Sequence, residues 1–547
     1  MRISMPLPPG PIRVELPSTP PGPDPWEQEI AFISGLTANA TVAAISYGSW
    51  SAAGAADSPT YHPTLSDAIK WGDTTLSPSG TPGGGVSYWF DAASDWNDVE
   101  ESMWFSAMNL WSAEVNIVAE ADASSTDFTI YRQPHQPSTQ GGTYASFPGL
   151  EPSTIGSNVD GSPGDGAFIT IGNDTVALDG SFETGGGDGY YALVHELGHM
   201  LGLGHGGPYN GMAESDKHQF TLYDTELWAI MSYIKPWDQS ALYFNDYPDE
   251  LKHTDWGPSL FPTTPMILDI LAAQRIYGRA ISGPLADGND VFGFNSNIDE
   301  SSDPDHSIGR YFDFTVNTDP VITIWDGGGN NTLDLSGWST PSTINLNPGT
   351  FSSANGQTNN IGIALGTVIE TAKGGEGSDT IIGNVYANFL FGNDGDDALF
   401  GHDGGDSLNG GPGSDAVTGG LGADLFLLAA ISDGVDSFLD FSRIQQDRIA
   451  LDHAGFDLGG TGTLAAVGVS LVNGATAQTS EPTLLYSGGD LSWDPDGTGA
   501  SAPALLAHVL GADAQTVAAH PDAPGPMMVS STTHALTQLT LDDFVIV

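Results

Sequence analysis

His195, His199 and His205 fall in one run, His195-Glu196-Leu197-Gly198-His199-Met200-Leu201-Gly202-Leu203-Gly204-His205. On a helix the first two lie one turn apart on one face. Neutral imidazoles at that spacing can both reach one zinc ion, at about 2.0–2.1 Å from each nitrogen. Glu196, one residue on, points off that axis and is placed to hold a metal-bound water rather than to ligate. Gly202 supplies the positive φ that stops a helix, and the turn swings His205 back as a third ligand. Three protein ligands leave the fourth position open, as a catalytic zinc requires. A bare His-Glu-x-x-His arises by chance on any helix. The added Gly202 and His205 argue against incidental surface histidines.

That run needs a helix ahead of Gly202 and a scaffold around it. Trp104, Ala107, Met108 and Trp111 recur at i, i+3, i+4 and i+7, which predicts an amphipathic helix over 95–115 with those side chains in the core. Val86-Ser87-Tyr88-Trp89-Phe90 and Ala167-Phe168-Ile169-Thr170-Ile171 read as strands. The second precedes the glycine-rich loop 185–189 and is expected to be a sheet edge open to an extended peptide. Thr264-Pro265 starts a further helix, threonine as cap and proline at its first position. It carries Ile267, Ile270 and Leu271 on one face and stops at Gly278. Residues 1–25 hold nine prolines and read as disordered or polyproline chain. Residues 26–45 read as a short apolar helix or a pro-segment.

From Gly374 the chain repeats every nine residues, with turns opening at Gly374, Gly383, Gly392, Gly401, Gly410 and Gly419. Position six is Asp379, Asp397, Asp406, Asp415 or Asp424, and Asn388 in the second unit. Position eight is apolar throughout: Ile381, Leu390, Leu399, Leu408, Val417 and Phe426. This is the calcium-binding nonapeptide pattern of a parallel β-roll. Glycines shape a tight loop, and the acids with carbonyls such as those of Gly375 and Gly377 take the ion. Asn388 weakens the case for calcium in its unit. A flexible glycine-rich linker would not keep this phase.

The length of 547 residues suits two to four domains. With no cysteine, disulfides, zinc–thiolate sites and thiol nucleophiles are excluded. Sixty-eight acidic against 13 basic side chains give a formal charge of −55, which makes nucleic acid and anionic lipid poor partners. Calcium, which takes hard oxygen ligands, accounts for part of that charge; adaptation to saline surroundings competes for the rest. No run of about 18 apolar residues spans a membrane, and the amino terminus lacks the apolar core of a signal peptide.

The completed histidine run is the metzincin signature. Followed by this repeat, it resembles the serralysin family of secreted bacterial zinc proteases over roughly residues 60–547. Ala229-Ile230-Met231-Ser232-Tyr233 is similar to the family's Met-turn, where a methionine underlies the zinc. The tyrosine two residues on can bind zinc and swing away, so the resemblance implies Tyr233 as a zinc ligand and second catalytic residue. Asp290 to Asn297 and Trp325 to Thr332 also resemble serralysin segments. The latter resembles a calcium loop and implies Asp326, Gly328 and Asn331 as ligands, with Asn331 where the family usually has aspartate. Glu370 resembles another calcium ligand. Gly206-Gly207-Pro208 follows the third histidine where the family usually has proline, a departure at the substrate rim. The tail Leu541 to Val547, acidic then apolar, resembles the uncleaved carboxy-terminal signal of type I secretion, and also fits a final β-strand.

The fold so implied is an α+β metzincin catalytic domain followed by an all-β parallel β-roll/β-sandwich domain. Residues 1–45 form the proline-rich segment, 46–280 the catalytic domain and 281–547 the calcium-binding RTX domain with its secretion signal. The function implied is that of a secreted, extracellular zinc endopeptidase, with one catalytic zinc ion, several structural calcium ions and Glu196 as general base toward a zinc-bound water. Its expected partners are protein or peptide substrates and the type I secretion machinery, with room for a proteinaceous inhibitor, and the chain is expected to be a monomer. One rival is a calcium-dependent surface or matrix protein with an inactive protease-like domain, against which the intact Glu196 and three histidines argue. Another is a zinc hydrolase of non-peptide substrates.

Overall fold

Helical periodicity surrounds the histidine run and a nine-residue period follows it, and each has its elements in the computed structural model. It describes residues 25–39, 41, 43–47, 50–51, 60–61, 84–94, 96–121, 128–132, 144–145, 167–171, 188–209, 213–256, 260–298, 307–511, 534–536 and 538–547. The expectations for residues 1–24 and 185–187 lie outside these. Two compact units result: Leu16–Gly329 with Gln357–Thr367, and another that includes Asn330–Gly356 and Val368–Val547.

The first unit contains α1 (Pro25–Ser34), β1 (Gly84–Phe90), α2 (Asp98–Glu114), β2 (Ile117–Ala121), β3 (Phe128–Arg132), β4 (Tyr144–Ala145), β5 (Ala167–Ile171), α3 (Asp188–Met200) and α4 (Ile267–Tyr277). Its sheet runs β2-β1-β3-β5-β4, parallel except where β4 lies antiparallel to β5. Along β1, Val86, Tyr88 and Phe90 alternate inward, as a half-buried strand requires. The strand 167–171 forms where expected but is not the edge. It pairs with β3 on one side and with β4 on the other, so β4 takes the outer position. Two residues are too few to show an alternation, which is why β4 left no mark in the pattern.

On α2, Trp104, Ala107, Met108 and Trp111 are all buried, and the Trp111 Nε1–H donates to the Val194 carbonyl of α3 at 3.2 Å. α4 begins two residues later than expected and its cap differs. The Thr264 hydroxyl accepts the Thr323 N–H at 2.8 Å, so it serves a neighbouring strand. The Asp269 carboxylate, inside the first turn, accepts the Met266 N–H at 2.8 Å instead. The stop at Gly278 holds, with φ +83°. α1 packs on α4, buries Ile30, Phe32 and Ile33, and joins it through Glu27 to Arg275 at 2.8 Å.

In the second unit the nine-residue units fall alternately on two parallel sheets. One carries Thr332–Asp334, Thr371–Lys373, Phe389–Phe391, Ser407–Asn409, Leu425–Leu428, Arg448–Leu451 and Phe544–Ile546. The other carries Thr343–Asn345, Thr380–Ile382, Ala398–Asp403, Ala416–Leu421, Asp436–Phe441 and Ala504–Gly511, then continues antiparallel. All six position-eight residues are buried between them. These mostly parallel sheets are those of a β-roll. The acidic-apolar tail forms its strand against Arg448–Leu451. Among the described residues no helix is long and apolar enough to cross a membrane.

Candidate metal centres

α3 delivers His195 and His199 on one face and then ends at once. The Leu203 N–H returns to the Gly198 carbonyl and the Gly202 N–H to the His199 carbonyl, both at 2.9 Å, with Gly202 at φ +96°. This paired closure around a left-handed glycine is a Schellman stop. It turns the chain so that His205 comes back over the helix. The Nε2 of His205 lies 3.0 Å from that of His199 and 3.3 Å from that of His195. One ligand atom from each of the three buried histidines lies within 4.8 Å of the others.

Each ring is aimed by its other nitrogen. Nδ1 of His195 meets the Ile230 carbonyl at 2.8 Å, Nδ1 of His199 the Leu203 carbonyl at 2.8 Å, and Nδ1 of His205 the Tyr209 carbonyl at 3.0 Å. A carbonyl can only accept, so the proton sits on Nδ1 and all three Nε2 lone pairs face inward. Burial holds His195 down to about 4 and His199 to about 3, and pushes His205 well below the usual imidazole range. Three inward lone pairs on neutral rings, each steadied by a carbonyl, are a donor set that fits zinc.

Glu196 is buried beside them. Burial raises its carboxyl to about 8, against a hydrogen bond from the Ala145 backbone on β4, and its Oε2 has no hydrogen-bond partner. Met231 lies under the helix, where a Cβ on Gly198 would sit 2.6 Å from its sulfur. That contact is why glycine occupies the middle of the motif. The Tyr233 ring lies 5.6 Å from the His195 ring and 4.4 Å from the His205 ring, centroid to centroid. It stacks on Tyr209, whose hydroxyl donates to the buried Asp224 at 2.5 Å. The glycines that depart from the family's proline have a role here. A Cβ on Gly206 or Gly207 would come within 2.4 Å of an Asp224 oxygen, so both let the rim close on that acid.

Sequence reasoning missed several members of this site. Tyr47 sits 4.9 Å from the His205 ring, packs where Gly204 lacks a Cβ, and has its phenol raised by burial and by Tyr233 and Glu196. Nothing local to residue 47 could have announced it. The carbonyls of Ile230, Leu203 and Tyr209 carry no residue-type signal at all. Asp269 did leave one, as a lone acid in an apolar helix.

The repeat acids stand in two rails. Oδ1 of Asp397 accepts the Asp379 N–H at 2.6 Å, and Oδ1 of Asp415 accepts the Asp397 N–H at 2.8 Å. On the other rail Oδ1 of Asp406 accepts the Asn388 N–H at 2.8 Å, and Oδ1 of Asp424 the Asp406 N–H at 2.9 Å. The Oδ2 atoms of Asp397, Asp406, Asp415 and Asp424 are buried with no hydrogen-bond partner. Burial, with neighbouring acids adding, raises Asp397 and Asp406 to about 8. Buried partnerless carboxylate oxygens in register are what a hard dication takes, so these residues fit calcium. The rails continue through Asp436 and Asp447, which accept from Asp415 and Asp424 at 3.1 Å. Both lie outside the nine-residue phase and so escaped the repeat count. Gly375 donates its N–H to Oδ2 of Asp379 at 2.6 Å, and the Gly377 carbonyl is approached within 2.6 Å of where a Cβ on Gly395 would stand.

Asp326 and Gly328 belong to the first unit, where Oδ1 of Asp326 accepts the Gly328 N–H at 2.7 Å. Asn331 and Glu370 belong to the second, where Oε2 of Glu370 accepts the Asn331 N–H at 2.7 Å.

A buried histidine trio on a sheet-backed helix, in a chain that also carries a β-roll, defines a metal-site protein with a repeat domain. Residues 284–458 match the family described as Peptidase M10 serralysin C terminal. The chain is 31% identical over 335 residues to Metalloprotease AprA of Pseudomonas entomophila (strain L48), covering 60% of this chain and 63% of that protein. It is 38% identical over 206 residues to Metallopeptidase AprA of Pseudomonas marginalis, covering 37% and 39%. It is 34% identical over 284 residues to Serralysin B of Dickeya chrysanthemi, covering 51% and 50%. Over the matched stretches the chain is similar to proteins of the serralysin family. It spans less than two thirds of the length of each of these relatives.

Proposed function

We propose that the chain is a secreted zinc-dependent endopeptidase, with His195, His199 and His205 holding the ion and Tyr233 an exchangeable further ligand. The observation that carries this reading is the convergence of three Nε2 atoms beside the buried Glu196 carboxylate. The relatives' names, metalloprotease and serralysin, support the same class. Zinc bound there supplies Lewis-acid chemistry, polarising a peptide carbonyl and acidifying water towards about 7.

The side chains do the rest. Glu196 takes the proton from the attacking water and passes it to the leaving amine. The Tyr233 hydroxyl donates to the oxyanion as it develops. β4, the outer strand, reaches Glu196 through Ala145 and is the element on which an extended peptide would pair. Residues 46–280 form the catalytic domain in this reading. Residues 281–547 form the calcium-binding one, with Asp326, Gly328, Asn331, Glu370, Gly375, Gly377 and the rail acids as ligands and the tail as the type I secretion signal.

The deciding experiment pairs zinc content with casein hydrolysis. Glu196→Ala should keep zinc and lose nearly all hydrolysis, because the base acts only in the chemical step. His199→Ala should lose both. A Glu196→Ala chain that digests casein near the wild-type rate would falsify the mechanism.

A further inference from the structure

Helix α4 reaches the histidine cage from both of its ends. At its start the fully buried Asp269 carboxylate accepts three backbone N–H groups from two separate segments. They are Ile230 at 2.5 Å, Met266 at 2.8 Å and Met231 at 3.4 Å. The Ile230 carbonyl is the one that holds Nδ1 of His195, and the Met231 sulfur is the one seated against Gly198. At its end the Tyr277 hydroxyl donates to the Leu201 carbonyl at 3.0 Å. Leu201 immediately precedes the Gly202 stop, and the Leu203 carbonyl just beyond holds Nδ1 of His199.

We propose that Asp269 is a positioning residue for the metal cage, acting through the Ile230–Met231 turn, with Tyr277 as its counterpart at the opposite end of α4. Between them they fix the two backbone segments whose carbonyls aim His195 and His199. The inference rests on the reading of those histidines as zinc ligands.

The chemistry explains the residue type. A carboxylate presents two acceptor oxygens and no donor, which is what three converging N–H groups need. Asparagine has the same shape but must turn its NH2 towards one of them. A buried acid is costly to keep, and this one is shut off from solvent altogether, at 0% exposure. What it touches is the turn that carries Ile230 and Met231. Groups that orient a ligating imidazole from outside the coordination sphere typically change metal affinity by about 10–100-fold when removed.

The test uses the full chain with Asp269→Asn and, separately, Tyr277→Phe. Zinc dissociation constants are read by competition with a chromophoric chelator, kcat and KM are read separately at saturating zinc, and thermal midpoints are recorded beside them. Asp269→Asn should raise the zinc Kd by about tenfold or more and lower kcat with KM little changed. Tyr277→Phe should shift the Kd in the same direction by less. Zinc affinity is read without peptide, so a wild-type chain that binds zinc but cleaves nothing sinks the peptidase reading and leaves the Kd comparison to decide this one. A folded Asp269→Asn chain with a lowered thermal midpoint but wild-type zinc Kd and kcat makes the residue merely structural and overturns the proposal. If Asp269→Asn fails to fold, Tyr277→Phe decides, and a wild-type Kd there overturns the two-ended support.

Discussion

Gly198 is one of three glycines in the histidine run and among its most constrained residues. Its missing Cβ is filled by the Met231 sulfur, so Gly198→Ala would force a contact of 2.6 Å with a fully buried neighbour. Overpacking of this kind costs about 1–3 kcal/mol. The Met-turn cannot back away freely, since Asp269 holds its backbone. We therefore expect Gly198→Ala to lower the thermal midpoint and to weaken zinc binding together; a lowered midpoint with unchanged zinc affinity would separate packing from the cage. Tyr233 poses a different question. Its ring contacts are satisfied without the hydroxyl, so Tyr233→Phe should fold, bind zinc and bind peptide, while kcat falls because the hydroxyl acts mainly in the transition state. An unchanged kcat returns Tyr233 to packing against His205 and Tyr209. The histidines and Glu196 were legible in the sequence because their relation is local, set by helix spacing and one glycine. Tyr47, Asp224 and the three carbonyls behind the rings were not, because tertiary folding alone brings them there.

At the scale of elements, what could be read was whatever has a period. α2 declared itself through its tryptophans, the roll through its glycines, and the stop of α3 through Gly202. What failed was short or borrowed. β4 is two residues long, and the cap of α4 comes from inside the helix because Thr264 is engaged by Thr323. The α3 stop can be tested directly. Gly202 holds φ +96°, a conformation that L side chains rarely adopt. Gly202→Ala should cost about 1–2 kcal/mol in backbone strain and, by loosening the turn that carries His205, reduce zinc occupancy at limiting zinc. Full occupancy in that variant, measured on the intact chain, would mean that His205 is placed by Tyr209 and Asp224 rather than by the glycine turn.

On the scale of the whole molecule, the −55 charge and the roll are one problem. The two rails stack acids turn upon turn, with the Oδ2 atoms of Asp397, Asp406, Asp415 and Asp424 buried and without a hydrogen-bond partner, so without cations the stack repels itself. One turn escapes. In the second unit Asn388 accepts the Asn384 N–H at 2.8 Å and turns its amide towards the Ile369 and Glu370 carbonyls at 3.4 and 3.3 Å. Asn384 donates to the Leu346 and Ile369 carbonyls at 3.2 and 2.8 Å. Here amide hydrogens do the bridging that a cation would do between carboxylates, so this turn should hold without metal. Each turn contacts chiefly its neighbours, so stability propagates along the stack. A ligand that binds only the folded state adds about 2.7 kcal/mol at a hundredfold excess over its Kd. In the full chain, chelating calcium should therefore speed amide exchange across 392–447 far more than across 380–390 or the zinc helix, and calcium should reverse the change where magnesium does so poorly. Asn388→Asp should remove the exception. Its turn would lose protection in chelator, where the wild type keeps it, and regain it with calcium. Equal exchange of the whole roll with and without calcium would sink this account, because the partnerless rail oxygens would then need no cation to stay buried.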